Sequence, residues 1–129
     1  PEVDNGKVGA IGYCMGGRMA YLAAAEAGVD VAVAYYGGGI HQQLARAANV
    51  ACPIQFHYAG HDEHIPPAAV DAVRAAFAGR AAEVLTYGQA HHGFNCWARG
   101  SYDPASSALA HGRSLSFLAQ ALWEAETPT

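Results

Sequence analysis

A chain of 129 residues that is 52% hydrophobic and 14% charged suffices for one packed domain and is too apolar for intrinsic disorder. Its net charge of −4, with no basic stripe, argues against a nucleic-acid partner. It has no apolar run of 18 residues to span a membrane, and residues 1–6 read as polar and turn-like, without a signal-peptide pattern.

Strand-like and helix-like segments alternate. Lys7–Tyr13 is apolar on both faces and bounded by Gly6 and Gly12, which predicts a buried parallel strand. Gly17–Ala27 has helix composition and ends at Gly28. Val31–Tyr36 predicts a second buried strand, stopped by Gly37–Gly39, and Ile40–Ala47 a short helix. Pro53–Tyr58 predicts a third strand, with a polar loop at Ala59–Ile65. Pro67–Phe77 predicts a helix with proline in its first turn. Glu83–Tyr87 predicts a fourth strand and Gly88–Tyr102 a long loop. Pro104–Trp123 is the longest predicted helix, with Leu109, Leu115, Leu118 and Leu122 near one face. Repeated βα units imply an α/β class: a parallel sheet with helices on both faces, a three-layer sandwich forming a single domain over 1–129.

The first strand has central character, yet no strand precedes it in this sequence. On an open edge it would expose apolar surface and unpaired backbone groups. More sheet is therefore expected beside it, from an N-terminal half, a cleaved segment or a partner chain.

Gly12-Tyr13-Cys14-Met15-Gly16-Gly17 lies between the first strand and the first helix. It has the G-x-nucleophile-x-G spacing of a sharp strand-to-helix turn, with cysteine as nucleophile. Glycines at 12 and 16 are expected to remove side chains that would clash across the turn. The helix N-terminus is expected to lower the thiol pKa, and the Met15 backbone N–H to serve as an oxyanion-hole donor. The Walker lysine and the G-x-G-x-x-G spacing are both missing, so phosphate binding is not expected.

Asp62 follows the third strand and His92 the fourth. Catalytic groups of open parallel sheets gather beyond the strand carboxyl ends. The order nucleophile, acid, histidine is that of α/β-hydrolases. In that arrangement Cys14 attacks a carbonyl, His92 moves protons and Asp62 orients the imidazole. His57, His61, His64, His91 and His92 invite a metal reading, but their spacing is not that of H-E-x-x-H. Neither a metal nor a cofactor is expected. Cys14, Cys52 and Cys96 are odd in number and not in C-x-x-C spacing, which disfavours a disulfide framework or zinc ribbon. A thiol nucleophile must stay reduced, so the expected setting is cytoplasmic.

The segments GYCMGGRMAYLAA, AVAYYGGGI, HYAGHDEHIPP and YGQAHHGFNCWARGSYDPASSALAHGRSLSFL resemble the dienelactone hydrolases (carboxymethylenebutenolidases) of the α/β-hydrolase fold. The resemblance covers nearly the whole chain and matches the C-terminal half of that family. It implies Cys14 as nucleophile, Asp62 as acid and His92, which precedes Gly93-Phe94, as base. It also implies that Tyr35 lines the active site. The family arginine four residues after the histidine, which helps hold a substrate carboxylate, is replaced here by Cys96; Arg99 is the expected substitute. The family's second oxyanion donor, a thiol-activating glutamate and a second substrate arginine lie in a preceding half with no counterpart here. The implied activity is hydrolysis of a small-molecule ester or enol-lactone. A thioesterase or general carboxylesterase of the same fold, or a non-catalytic, redox-sensing domain, are the alternatives.

Overall fold

The computed structural model describes residues 6–123. The chain runs β1 (Gly9–Tyr13), α1 (Met15–Glu26), β2 (Val31–Tyr35), two 3-10 turns (Ile40–Gln42 and Leu44–Asn49), β3 (Ile54–Ala59), α2 (Pro67–Ala76), β4 (Ala82–Tyr87) and α3 (Pro104–Trp123). The four strands form one sheet in the order β1-β2-β3-β4, every neighbouring pair parallel. Parallel strands need crossover connections, and each interstrand segment supplies one. In place of the short helix expected over Ile40–Ala47 there are two 3-10 turns.

β2 and β3 are buried along their whole lengths. Side chains alternate across a strand, so neighbouring positions serve opposite faces. Phe56 meets Tyr21 of α1 and Phe77 just after α2, with ring centroids 6.3 and 5.2 Å apart. On the other face, Tyr35 and His57 bond to Ser114 of α3. Helices thus cover both faces, as the three-layer reading expects. Burying each large apolar side chain contributes roughly 1.5–3 kcal/mol.

One expectation about a buried face is corrected. β1 is not buried: Val8, Ile11 and Tyr13 are 57%, 45% and 40% exposed. Among the described residues the strand pairs with β2 on one side only, which makes it the open edge anticipated from the sequence. On α3, Leu109 and Leu115 are about half exposed. α3 instead buries Ala110 and Ser114, small residues that let the helix approach the strands closely. Among the described residues no helix is long and apolar enough to cross a membrane.

Candidate active site

Cys14 stands between β1 and α1 at φ 58°, ψ −120°. A non-glycine residue with positive φ is uncommon, and such strain collects at functional sites. The turn is held by three backbone bonds. Cys14 N–H donates to the Tyr35 carbonyl at 3.1 Å, and the Cys14 carbonyl accepts from Gly17 at 2.9 Å and Arg18 at 3.4 Å. A Cβ at Gly12 would overlap the Gly16 carbonyl, so glycine is required at 12. At Gly16 a Cβ would meet no described atom within 4 Å; the steric reason expected for glycine there does not hold. Gly17 is the second demanding position, since a Cβ would run into the Tyr35 carbonyl and come within 3.1 Å of Gly37. Met15 is the first residue of α1, and the first amides of a helix have no intrahelical acceptor.

Asp62 and His92 come together from the loops after β3 and β4. His92 Nδ1 lies 2.7 Å from Asp62 Oδ2, and the Asp62 carboxylate is buried. Its Oδ1 accepts the backbone N–H groups of His64 at 2.7 Å and Ile65 at 3.1 Å. A buried carboxylate with both oxygens engaged is geometrically fixed. The two loops are joined as well by His61 N–H donating to the Ala90 carbonyl at 2.9 Å.

Tyr36, not Tyr35, packs on the histidine, its ring centroid 5.0 Å from that of His92. The end of β2 explains the correction. Tyr35, the last residue of the strand, is fully buried with its hydroxyl on Ser114 of α3; Tyr36 lies past the strand at φ 34°, its ring 5.9 Å from that of Tyr35 and sharing Phe94 with it. Adjacent tyrosines ahead of three glycines are the available signal, but nothing local says which ring reaches the histidine. His64 stands edge-on to His92 at 5.0 Å. Arg99 lies over Gly93, where a Cβ would come within 2.8 Å of its guanidinium. His61, Glu63, His64, His91, His92 and Arg99 line a cleft of about 380 Å³. No cluster able to hold a metal ion occurs among the described residues.

The Cys14 thiol departs from expectation. Partial burial, the largest cause, pushes its pKa up; Arg99 pulls it down, and Cys96 and Asp62 raise it further. Desolvation disfavours the thiolate and is the largest influence on this sulfur.

The sequence model of the dienelactone hydrolase family matches residues 1–122. The chain belongs to the dienelactone hydrolase family. It is 40% identical over 117 residues to a carboxymethylenebutenolidase of Pseudomonas putida, an overlap of 90% of this chain and 50% of the relative. A carboxymethylenebutenolidase from Pseudomonas sp. strain P51 is 35% identical over 118 residues, 92% of this chain and 49% of the relative. The crystal structure of a putative dienelactone hydrolase from Klebsiella pneumoniae superposes with a TM-score of 0.84 at 30% identity, covering 91% of this chain and 53% of that one. The chain thus spans about half the length of the dienelactone hydrolase relatives it matches.

Proposed function

We propose that this chain carries the nucleophile, acid and base of a hydrolase that cleaves an ester or enol-lactone through a thioester intermediate. One observation carries the proposal. A cysteine sits at positive φ between β1 and α1, and a histidine held by a buried aspartate stands in the loop beyond the carboxyl end of β4 in the same sheet. The family membership supports the same chemistry, since the relatives named above are carboxymethylenebutenolidases.

In the proposed reaction, Asp62 keeps the hydrogen of His92 on Nδ1, which leaves Nε2 as the base. The Cys14 thiol proton passes to Nε2 as sulfur adds to the substrate carbonyl. The Met15 N–H stabilises the resulting oxyanion. The carbon–oxygen bond of the leaving group breaks, and His92 returns the proton to that oxygen. Water, deprotonated by His92, then attacks the thioester; the acid product leaves and sulfur recovers its proton. A thiol that rests protonated suits this base-assisted scheme. It fits a redox-sensing role less well, because such sensors rely on a low-pKa thiolate.

Arg99, over Gly93 and close enough to act on Cys14, is the proposed contact for an acidic group on the substrate. It takes the place that the family arginine vacates at Cys96. The open edge of β1, with exposed Ile11, Tyr13 and Met15, is the proposed seat of further strands that complete the sheet.

Mass spectrometry after mixing with an activated aryl ester tests the proposal. An acyl adduct on Cys14 is expected, and Cys14→Ala in the complete protein containing this chain should show no turnover. Full turnover by Cys14→Ala would falsify the scheme.

A further inference from the structure

We propose that Tyr35 is a positioning residue for the nucleophile, anchored from beneath by a buried hydrogen-bond chain through Ser114 and His57. The inference rests on the reading of Cys14 as nucleophile and adds the device that aims it.

The Tyr35 carbonyl touches the turn from two sides. It accepts the Cys14 N–H at 3.1 Å, and it is the group that a Cβ at Gly17 would strike. Unusual backbone conformations persist only where their surroundings over-determine them. The direction of the Cys14 sulfur therefore depends on where this one carbonyl sits.

The position of the carbonyl depends in turn on the Tyr35 side chain, which is fully buried. Ser114 Oγ–H donates to the Ala110 carbonyl at 2.8 Å. The Tyr35 hydroxyl, 2.7 Å from Ser114 Oγ, must then be the donor in that contact. The His57 ring stacks on Tyr35 with centroids 4.5 Å apart. His57 Nε2 lies 2.7 Å from Gln55 Oε1 and 3.1 Å from Ser114 Oγ. Gln55 Nε2 donates to Glu83 Oε1 at 2.8 Å, so Gln55 Oε1 is an acceptor and His57 Nε2 carries the hydrogen. His57 Nδ1 then accepts from the Tyr87 hydroxyl at 2.8 Å, which itself receives Arg113 Nη1 at 3.3 Å.

Each hydrogen in the chain has one place, and β2, β3, β4 and α3 all contribute. Burial and the Arg113 charge hold His57 neutral, with its pKa down to about 4. A fully satisfied buried network is rigid, and a half-satisfied one is costly. The bland alternative is that the chain merely fastens α3 to the sheet. In that case its loss would lower stability and leave the chemistry of Cys14 unchanged.

The deciding experiment compares Tyr35→Phe and Ser114→Ala with Val73→Ala, which opens a cavity under α2 remote from the chain. Measured are acylation by 4-nitrophenyl acetate, Cys14 alkylation by iodoacetamide, thermal stability, and the His57 tautomer by nitrogen NMR. Small misplacements of a reacting group are amplified in rate, so acylation should slow about tenfold in Tyr35→Phe and Ser114→Ala with KM unchanged. Alkylation should slow with it, and Val73→Ala should lose stability but keep the wild-type rates. Unchanged rates in the first two variants, equal slowing in Val73→Ala, or an Nδ1–H tautomer of His57 would each overturn the proposal. If the wild-type protein forms no acyl-enzyme, the hydrolase scheme fails, and the alkylation comparison alone decides the positioning role.

Discussion

His92 and Asp62 are joined by a 2.7 Å bond between Nδ1 and Oδ2, while the other carboxylate oxygen holds two backbone amides of its own loop. That asymmetry makes Asp62→Asn informative. The amides of His64 and Ile65 need an acceptor, so the asparagine carbonyl must take the place of Oδ1. Its NH2 group is then turned toward His92 and selects the tautomer with hydrogen on Nε2. A base in the wrong tautomer loses activity by roughly a thousandfold or more. Steady-state hydrolysis of an aryl ester, with NMR of the His92 ring, checks this; near wild-type turnover would contradict it.

The thiol offers a prediction with opposite signs at two neighbours. Burial raises the Cys14 pKa, Arg99 lowers it and Cys96 raises it. The pH midpoint of Cys14 alkylation should lie above the ordinary thiol range. Arg99→Ala removes a cation and should move it further up. Cys96→Ser removes a competing acid and should move it down. Iodoacetamide labelling followed by mass across pH reads all three midpoints, and a downward shift in Arg99→Ala would show that Arg99 does not act on this sulfur.

Much of this site follows from local chemistry. Cys14, Asp62 and His92 lie at strand ends marked by glycines and polar loops, and turn chemistry is encoded locally. Residues Pro104–Trp123 are likewise helical in α3, because proline suits a first turn and a single internal glycine, Gly112, is tolerated in a helix. Tyr36 rather than Tyr35 reaches the histidine because the chain leaves the strand there at φ 34°, a backbone turn that two adjacent tyrosines do not announce. The β1 sequence looks central in composition, yet in the described sheet the strand lies at an edge, and edge position is not written in composition. The rise in the thiol pKa depends on burial in three dimensions, which no motif records.

Buried His57 sets an acid limit on stability. Its folded pKa is lowered to about 4 by desolvation and then by Arg113, against about 6.5 when unfolded. The folded state binds fewer protons, so this contribution is complete above pH 6.5 and is lost as pH falls toward 4. The loss over that window amounts to about 3 kcal/mol. Urea denaturation at pH 7, 6, 5 and 4 should show the decline. A variant with an uncharged residue, His57→Gln, should be less stable at pH 7 but flatter across the window.

Tyr58 points to a gain. Its hydroxyl is buried without a hydrogen-bond partner among the described residues, and its ring stacks on Phe56 with centroids 6.1 Å apart. An unsatisfied buried hydroxyl costs desolvation and returns nothing, whereas the ring contact does not need the oxygen. Tyr58→Phe should therefore raise the unfolding free energy by about 1 kcal/mol. Denaturant unfolding checks it, and a loss of stability would mean the hydroxyl has a partner in solution.

The edge strand makes the last prediction. β1 pairs with β2 on one side, and exposed Val8, Ile11 and Tyr13 lie along it with Met15 and Met19 beyond. A flat apolar edge with free N–H and C=O groups recruits another strand. Residues 1–129 alone should therefore self-associate, and light scattering should give a mass above the 13.4 kDa of one chain. Ile11→Lys places a charge on the exposed strand, where natural edges often carry lysine to block such pairing. That variant should shift the protein to monomer while leaving the His92–Asp62 pair intact, since neither residue contacts β1 through the bonds that hold it. Adding a protein segment that supplies the neighbouring strand should also dissolve the self-association, because both compete for one edge. If the unmodified chain is a stable monomer at high concentration, β1 is protected in some other way and needs no further sheet.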